Sequence, residues 1–339
     1  MTQQVYLVDR PVSFSVEDDE TLLAAGLRQH LALPFGCQSG GCGSCRVRLQ
    51  SGSIEYPMAP PALSQGEIDA GYILMCLARA KSDLQIELHQ PPQLDELRPR
   101  KLPSRVLYQR MLSKDVIQLM LKLPKGDALR YLPGQYLDIL LDDGRRRSFS
   151  IANAPNGESI ELHLRVTPGG RFAKWVLEEM PEKAILRLEA PLGAFYIRED
   201  SSRPILIMAG GTGFSPAKAM LEDLLPRTAT RSVHLFWGGR ALNDLYMDAE
   251  VRAWLTQYPQ FRYTPVLSEP DAGWQGEQGF VHEALLRAYP SLHAHEVYLC
   301  GPPVMVQAGK RAFLVAGLDA DHLFYDSFDY AFETWPALG

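Results

Sequence analysis

Cys37, Cys42 and Cys45 stand as C-x4-C-x2-C within PFGCQSGGCGSC (residues 34–45), and Cys76 follows in YILMCLARA. Only five cysteines occur in 339 residues, so this constellation takes up nearly all of them. Its spacing is the one with which four thiolates hold a [2Fe–2S] cluster, the fourth ligand being remote. Such a loop must aim three sulfurs at a small inorganic core while its backbone N–H groups approach the bridging sulfides. Gly36, Gly40, Gly41 and Gly43 remove the Cβ atoms that would block that approach and permit unusual backbone angles. N–H donors around the sulfurs also raise the cluster potential. A structural zinc site more usually pairs two C-x2-C units, and one is present; a disulfide framework suits a small secreted domain. His30 and His89 are conceivable Rieske-type ligands, but no cysteine is missing, so both read as surface or core histidines.

The elements that must position this loop are legible around it. VYLVDR and PVSFSVE alternate as a hairpin, ETLLAAGLRQHL has helical spacing at Leu23, Leu27 and Leu31, and CRVRLQSG and DLQIELH read as strands. Residues 1–90 resemble the plant-type ferredoxin domain, an α+β β-grasp fold, and the resemblance makes Cys37, Cys42, Cys45 and Cys76 the metal ligands. The stretch QPPQLDELRPRKLPS then brings four prolines and mixed charge, so residues 91–102 are expected to be a linker.

Composition bounds the rest. A chain of this length is expected to form two or three domains, and a hydrophobic content of 46% suits globular cores. A net charge of −6 gives no basic field for nucleic acid. MTQQVYLVDR has no apolar signal-peptide core, and runs such as ILIMA fall short of the roughly 20 residues a membrane span needs. A cytoplasmic, soluble monomer with no membrane contact is expected.

Beyond the linker, RVLYQRMLSKDVIQLMLKLP and PGQYLDILL alternate in β fashion and lead to RRRSFS. Arg147, Ser148, Phe149 and Ser150 resemble the R-x-Y-S motif of the ferredoxin–NADP reductase superfamily. The resemblance implies that Arg147 pairs with a flavin phosphate, for which a planar guanidinium is suited. It puts Phe149 against the isoalloxazine ring and gives Ser150 a hydrogen bond toward flavin N5. Phenylalanine keeps the stacking of the commoner tyrosine and loses a hydroxyl. LHLRVTPGGRFAKWVLEEM follows as strand, glycine turn and helix, an anion site of the kind helix N-termini provide. The superfamily uses this turn for flavin pyrophosphate, usually with Ser or Thr where Ala173 stands. Gly169, Gly170, Arg171, Phe172 and Ala173 are therefore candidate contacts, with His163 and Arg165 on the preceding strand. FAD is favoured over FMN, in an antiparallel β-barrel flavin domain over residues 103–200.

From Arg203 the pattern is strand, turn, helix, repeated: RPILIMAGGTGFSPAKAMLEDLL, RSVHLFWGGR, EVYLCGPPVMVQAGKRAF. That predicts a parallel α/β sheet over 203–339 with its ligand beyond the strand C-termini. Gly211, Thr212 and Gly213 do not form G-x-G-x-x-G, because Pro216 stands where the last glycine would be. With Cys300, Gly301 and Pro302 in CGPP they match the nicotinamide-binding half of the same superfamily. The resemblance places Cys300 beside the nicotinamide, in a shaping rather than nucleophilic role, although a buried cysteine is locally just a small hydrophobe. It also ends the chain near the flavin, with Asp326 and Phe328 as candidates for the hydride-transfer site; packing of the last strand is the other reading. Glu269 after FRYTPVL stands where NADP-preferring relatives place arginine, so NADH is favoured over NADPH, and Arg240 in WGGR keeps the choice open.

The resemblance implies an oxidoreductase in which FAD takes a hydride pair from NADH and passes electrons singly to the cluster. Such chains resemble reductase components of multicomponent oxygenases (Rieske, di-iron or P450 type), and similar ones serve CDP-6-deoxyhexose dehydrases. Residues 1–90 carry six lysines and arginines against ten acids, a balance that suits a basic partner face or plain solvation. A redox sensor that never turns over, and a flavin that reduces oxygen directly, are the competing readings.

Overall fold

A computed structural model describes residues 2–31, 33–36, 38–41, 43–88, 97–126 and 128–328. Cys37, Cys42, residues 89–96 (with them the first half of the expected linker, 91–96) and the aromatic tail from 329 onward lie outside them.

The N-terminal unit begins with the expected hairpin, β1 (Gln3–Leu7) and β2 (Val12–Val16). Helix α1 (Leu22–Arg28) follows, capped by the Thr21 side chain accepting from the Ala24 N–H. Then come β3 (Arg46–Ser51), β4 (Ile54–Glu55), α2 (Gln65–Asp69), β5 (Tyr72–Leu74), β6 (Arg79–Ala80) and β7 (Leu84–Glu87). One mixed sheet runs β2-β1-β7-β3-β5, with β1 and β7 parallel. Its core gathers Phe14, Leu22, Leu23, Leu74, Met75, Leu84 and Ile86, all nearly inaccessible. Ser64 and Glu67 form a reciprocal capping box at α2.

The second unit is an antiparallel sheet: β8 (Arg100–Ser113), β9 (Val116–Lys122), β10 (Tyr136–Leu140), β11 (Arg146–Ser150), β12 (Ser159–Arg165), helix α3 (Arg171–Glu178) and β13 (Ile185–Leu192). Strand order is β11-β10-β13-β8-β9-β12, and an Ile151–Leu162 bridge brings the two edges together. β8 starts at Arg100, inside the stretch that reads as linker. Helix α3 buries Phe172, Ala173 and Val176 into this sheet's core.

The third unit alternates strand and helix: β14 (Ile205–Gly210), α4 (Phe214–Arg227), β15 (Val233–Gly239), α5 (Asp248–Gln257), β16 (Phe261–Leu267), β17 (Glu277–Gln278), α6 (Val281–Ala288), β18 (Glu296–Gly301), α7 (Pro303–Val315) and β19 (Leu323–Ser327). All neighbouring pairs are parallel, in the order β17-β16-β15-β14-β18-β19. Every residue of β14 and β18 is buried, as strands covered on both faces must be. One face packs with Phe214, Met220 and Trp237, the other with Phe236, Phe313 and Leu285.

Buried polar groups join the second and third units. Lys218 of α4 donates to the Ala152 carbonyl (3.2 Å), Glu161 (3.0 Å) and Glu222 (2.5 Å). Glu161 also accepts from Gln118 at 2.6 Å and meets His163 Nε2 at 2.8 Å. An ionised Glu161 requires Nε2–H, which leaves Nδ1 to accept from the Tyr246 hydroxyl at 2.9 Å. Burial opposes the charge on Glu161, yet the His163 hydrogen bond and Lys218 hold its carboxyl at about 2. The folded value lies below the ordinary one near 4.5, so its contribution to stability is complete above that value and is lost as pH falls toward 2. Between pH 5 and 3 the stability of Glu161→Gln should fall less steeply than the parent's, by a slope approaching about 1.4 kcal/mol per pH unit. Denaturant titrations at several pH values measure this, and parallel slopes would refute it.

Candidate functional site

The cluster loop lies where the three units meet. Cys45 and Cys76 bring their sulfurs within 3.1 Å, although 31 residues separate them in sequence. Gly40 and Gly43 take φ of +83° and +70°, the left-handed region that glycine enters without a Cβ clash. A Cβ on Gly43 would fall 2.2 Å from the Tyr325 ring, so the loop backbone lies directly on that ring. Convergent thiols on a glycine-rich backbone fit the donor set of an iron–sulfur cluster, with Cys45 and Cys76 as two of its ligands; Cys37 and Cys42 lie outside the described residues.

On the flavin side, β11 pairs with β10 so that Ser150 opposes Tyr136 and Phe149 opposes Leu137. Arg147 and Phe149 share one strand face, Ser148 and Ser150 the other. Ser148 donates to Asp138 at 2.6 Å, and Arg147 donates to the Arg146 carbonyl. The Phe149 and Phe172 rings are 5.5 Å apart, which brings β11 to the start of α3. There Gly169 takes φ of +79°, and Gly170 caps the helix with no side-chain hydrogen bond. Arg171 occupies its first position and no acid stands in its first turn, so the N–H groups and helix dipole suit a phosphate. Ala173 is buried in the core. His163 does not join this group: its ring is engaged by Glu161 and Tyr246. Arg165 is further along the same strand, paired with Asp115 at 3.0 Å. Its Nε is buried without a hydrogen-bond partner among the described residues.

On the nucleotide side, the C-terminal ends of β14, β15, β16, β18 and β19 gather Gly211–Gly213, Arg240, Glu269, Cys300–Pro302 and Asp326–Phe328 on one rim. Gly213 presses on the next turn, since a Cβ there would lie 2.1 Å from the Cys300 carbonyl oxygen. Thr212 is buried beside it. Arg165 reaches this rim too, its Nη1 being 2.9 Å from a Cβ placed on Gly211. Cys300 is inaccessible, and burial, then the Asp326 charge, push its thiol up, so it is no ready nucleophile. Asp326 opposes Cys300 in the β18–β19 register, and the Phe328 N–H donates to the Gly301 carbonyl at 3.0 Å. Glu269 and Arg240 are exposed neighbours, the Glu269 N–H donating to the Arg240 carbonyl at 2.8 Å.

Three family models match the chain in order. Residues 5–81 match the 2Fe-2S iron-sulfur cluster binding domain, 103–197 the oxidoreductase FAD-binding domain and 207–311 the oxidoreductase NAD-binding domain. A CDP-6-deoxy-L-threo-D-glycero-4-hexulose-3-dehydrase reductase of Yersinia pestis is 36% identical over 97% of this chain and 99% of its own. The chain belongs to the ferredoxin–NADP reductase superfamily. This superfamily member carries its [2Fe–2S] domain at the N-terminal end. The reductase component 1 of terephthalate 1,2-dioxygenase from Comamonas is 33% identical over 97% of this chain and 98% of its own. A solved Amycolatopsis cytochrome P450 reductase superposes with a TM-score of 0.74 at 30% identity, covering 96% of this chain and 98% of that one. With cluster, FAD and NAD domains in one chain, the protein is an oxidoreductase that passes electrons from NAD(P)H to a partner.

The sequence offered no sign of the Lys218–Glu161 seam, or of a second one at Arg46, Glu67, Lys310 and Tyr325. These residues are distant in sequence and look individually like solvated helix faces or core aromatics. Gly213→Ala must separate its turn from Cys300, which overpacks a site that cannot yield. The KM for the reduced nicotinamide nucleotide should rise about tenfold or more with flavin absorbance retained. A KM within twofold of the parent's would refute this.

Proposed function

We propose that the protein takes a hydride from NADH onto FAD and delivers single electrons through its [2Fe–2S] cluster to a separate redox protein. The observation that carries this reading is the convergence of the cluster loop, β11 and the β18–β19 rim on one junction of three domains. When bound, FAD supplies the exchange between a two-electron donor and a one-electron carrier. Arg147, Phe149, Ser150, Arg165, Gly169, Gly170, Arg171 and Phe172 would bind and orient it. Gly211, Thr212, Gly213, Gly301 and Pro302 would cradle the nucleotide, while Cys300, Asp326 and Phe328 shape the place where nicotinamide meets flavin. His163 acts indirectly, by fixing Glu161 at the domain seam. Exposed Glu269 favours NADH, since a carboxylate accepts from a ribose hydroxyl and repels a 2′-phosphate; its neighbour Arg240 weakens the discrimination.

We take the first sheet as a β-grasp and the second, with its edges meeting at Ile151, as a closed barrel. The domain limits are then 1–90, 100–200 and 203–339, the second starting with β8 at Arg100 and not at 103. The acceptor is a terminal oxygenase component in a cytoplasmic system, with this reductase acting as a monomer. The Yersinia relative, at 36% identity against 33% for the Comamonas one, favours a second acceptor class, a CDP-hexulose dehydrase. Among the described residues no helix is long and apolar enough to cross a membrane.

Anaerobic visible spectra test the reading. NADH should bleach both the flavin bands and the cluster envelope, and NADPH should do so about tenfold more slowly or worse, given one misplaced charge at the 2′ position. Cys45→Ser should keep flavin reduction and lose cytochrome c reduction. Full cytochrome c turnover in that variant would overturn serial transfer, and faster bleaching by NADPH would overturn the nucleotide preference alone.

A further inference from the structure

Two tyrosines from two different domains hold the cluster loop at its two ends. Tyr136 of β10 donates its hydroxyl to the Gly36 carbonyl at 2.9 Å, one residue before Cys37. Its ring lies over Gly193, where a Cβ would come within 2.8 Å of it. Within the flavin domain, Tyr136 is the cross-strand partner of Ser150. At the other end of the loop Tyr325 packs on Gly43 and donates to the Ala62 carbonyl at 3.3 Å. Tyr325 is in turn one residue from Asp326, the partner of Cys300. The loop is thus tied to the strand pair that carries the flavin candidates and to the strand pair that carries the nicotinamide candidates.

Buried charges hold the second contact in place. Lys310 of α7 donates to the Ala62 carbonyl at 2.7 Å, meets Glu67 at 3.5 Å and lies 3.9 Å above the centre of the Tyr325 ring. Glu67 binds Arg46 at 2.8 Å, and Arg46 donates onward to the carbonyls of Ala320 (2.8 Å) and Leu323 (3.1 Å). Glu67 and Lys310 are each only 3% exposed. A buried ion set is weak evidence for stability, because desolvation offsets the attraction. What such a set does supply is one geometry in which every charge is satisfied.

We propose that Tyr136 and Tyr325, the latter held by Lys310, Glu67 and Arg46, are positioning residues that seat the cluster loop at a fixed distance from the flavin and so set the rate of flavin-to-cluster electron transfer. The proposal rests on the serial reading above. The seat involves no covalent step: Tyr136 and Tyr325 would hold the loop in place when both cofactors are bound, and the chemistry those cofactors would supply is transfer of one electron from reduced flavin to one iron of the cluster.

The test uses the full holoprotein and two variants. Tyr136→Phe removes a single hydroxyl, and Glu67→Gln removes a charge while keeping an amide that can still close the capping box with Ser64. Anaerobic rapid mixing with NADH should show flavin bleaching within twofold of the parent in both. Cluster bleaching should slow by about five- to tenfold, from the loss of one hydrogen bond and the resulting misplacement. Hydrogen exchange of residues 38–41, 43 and 44 should rise while the cluster's potential and reduced EPR spectrum stay unchanged. Lys310→Met should behave like Glu67→Gln. Unaltered cluster bleaching in Tyr136→Phe and Glu67→Gln, with the parent transferring serially, overturns the seat alone. Slowed transfer with a shifted potential and unchanged exchange also overturns it, in favour of potential tuning. A parent that bleaches its flavin and never its cluster overturns the serial reading, and the seat with it.

Discussion

An ammonium group sealed away from water must have each of its three protons taken, and this constraint is met twice where the domains join. Lys218 gives its protons to the Ala152 carbonyl, Glu161 and Glu222. Lys310 gives its protons to the Ala62 carbonyl, Glu67 and the face of Tyr325. Both lysines stand on helices of the nucleotide domain, and both reach an alanine carbonyl and a glutamate of a neighbouring domain. Burial pulls Lys310 down to about 8, with Glu67 only partly restoring it. Neither lysine can shift far without leaving a charge unmatched in a dry seam. The nucleotide domain is therefore the frame, and the other two units are fixed to it.

Within that frame the chemistry is left to backbone. The rim of the parallel sheet is made by glycine turns pressed to contact, with Gly213 on the Cys300 carbonyl and Gly301 on the Gly210 carbonyl. The N-terminus of α3 presents N–H groups uncapped by any side chain. Side chains enter where shape or charge must be chosen, as at Phe149, Cys300 and Glu269. A site of this kind excludes bulk and fixes distance more than it supplies acid or base.

What could be read from the sequence was local. The C-x4-C-x2-C spacing, the all-apolar strand ILIMA before a glycine turn, and the glycines opening α3 each carry their meaning within a dozen residues; the strand and the α3 glycines stand where expected in the fold, and Cys45 meets the remote Cys76. The seams were invisible because their partners are far apart: 57 residues from Glu161 to Lys218, 243 from Glu67 to Lys310. In PAKAMLEDLL, Lys218 looks like one more solvated helical lysine, and Glu67 looks like a capping residue with no further duty. His163 sat among cofactor candidates by its place beside Arg165; its ring is turned instead to Glu161 and Tyr246, a direction that only the packing of two domains decides. The proline-rich stretch read as linker up to residue 102, but β8 recruits Arg100–Leu102 by pairing with β13, and composition carries no trace of that pairing.

β17 and β19 are the two borders of the parallel sheet, and they are protected differently. β17 is two residues long and exposed, too short to template another strand. β19 is longer and rich in aromatics, LFYDS, the kind of border that recruits a second copy of itself. The cluster domain is what meets it: Arg46 takes the Leu323 carbonyl and Gly43 covers Tyr325. The iron–sulfur domain thus occupies part of a border that would otherwise present open backbone groups. Because both partners belong to one polypeptide, that border is covered by a contact within the chain and needs no second molecule to meet it.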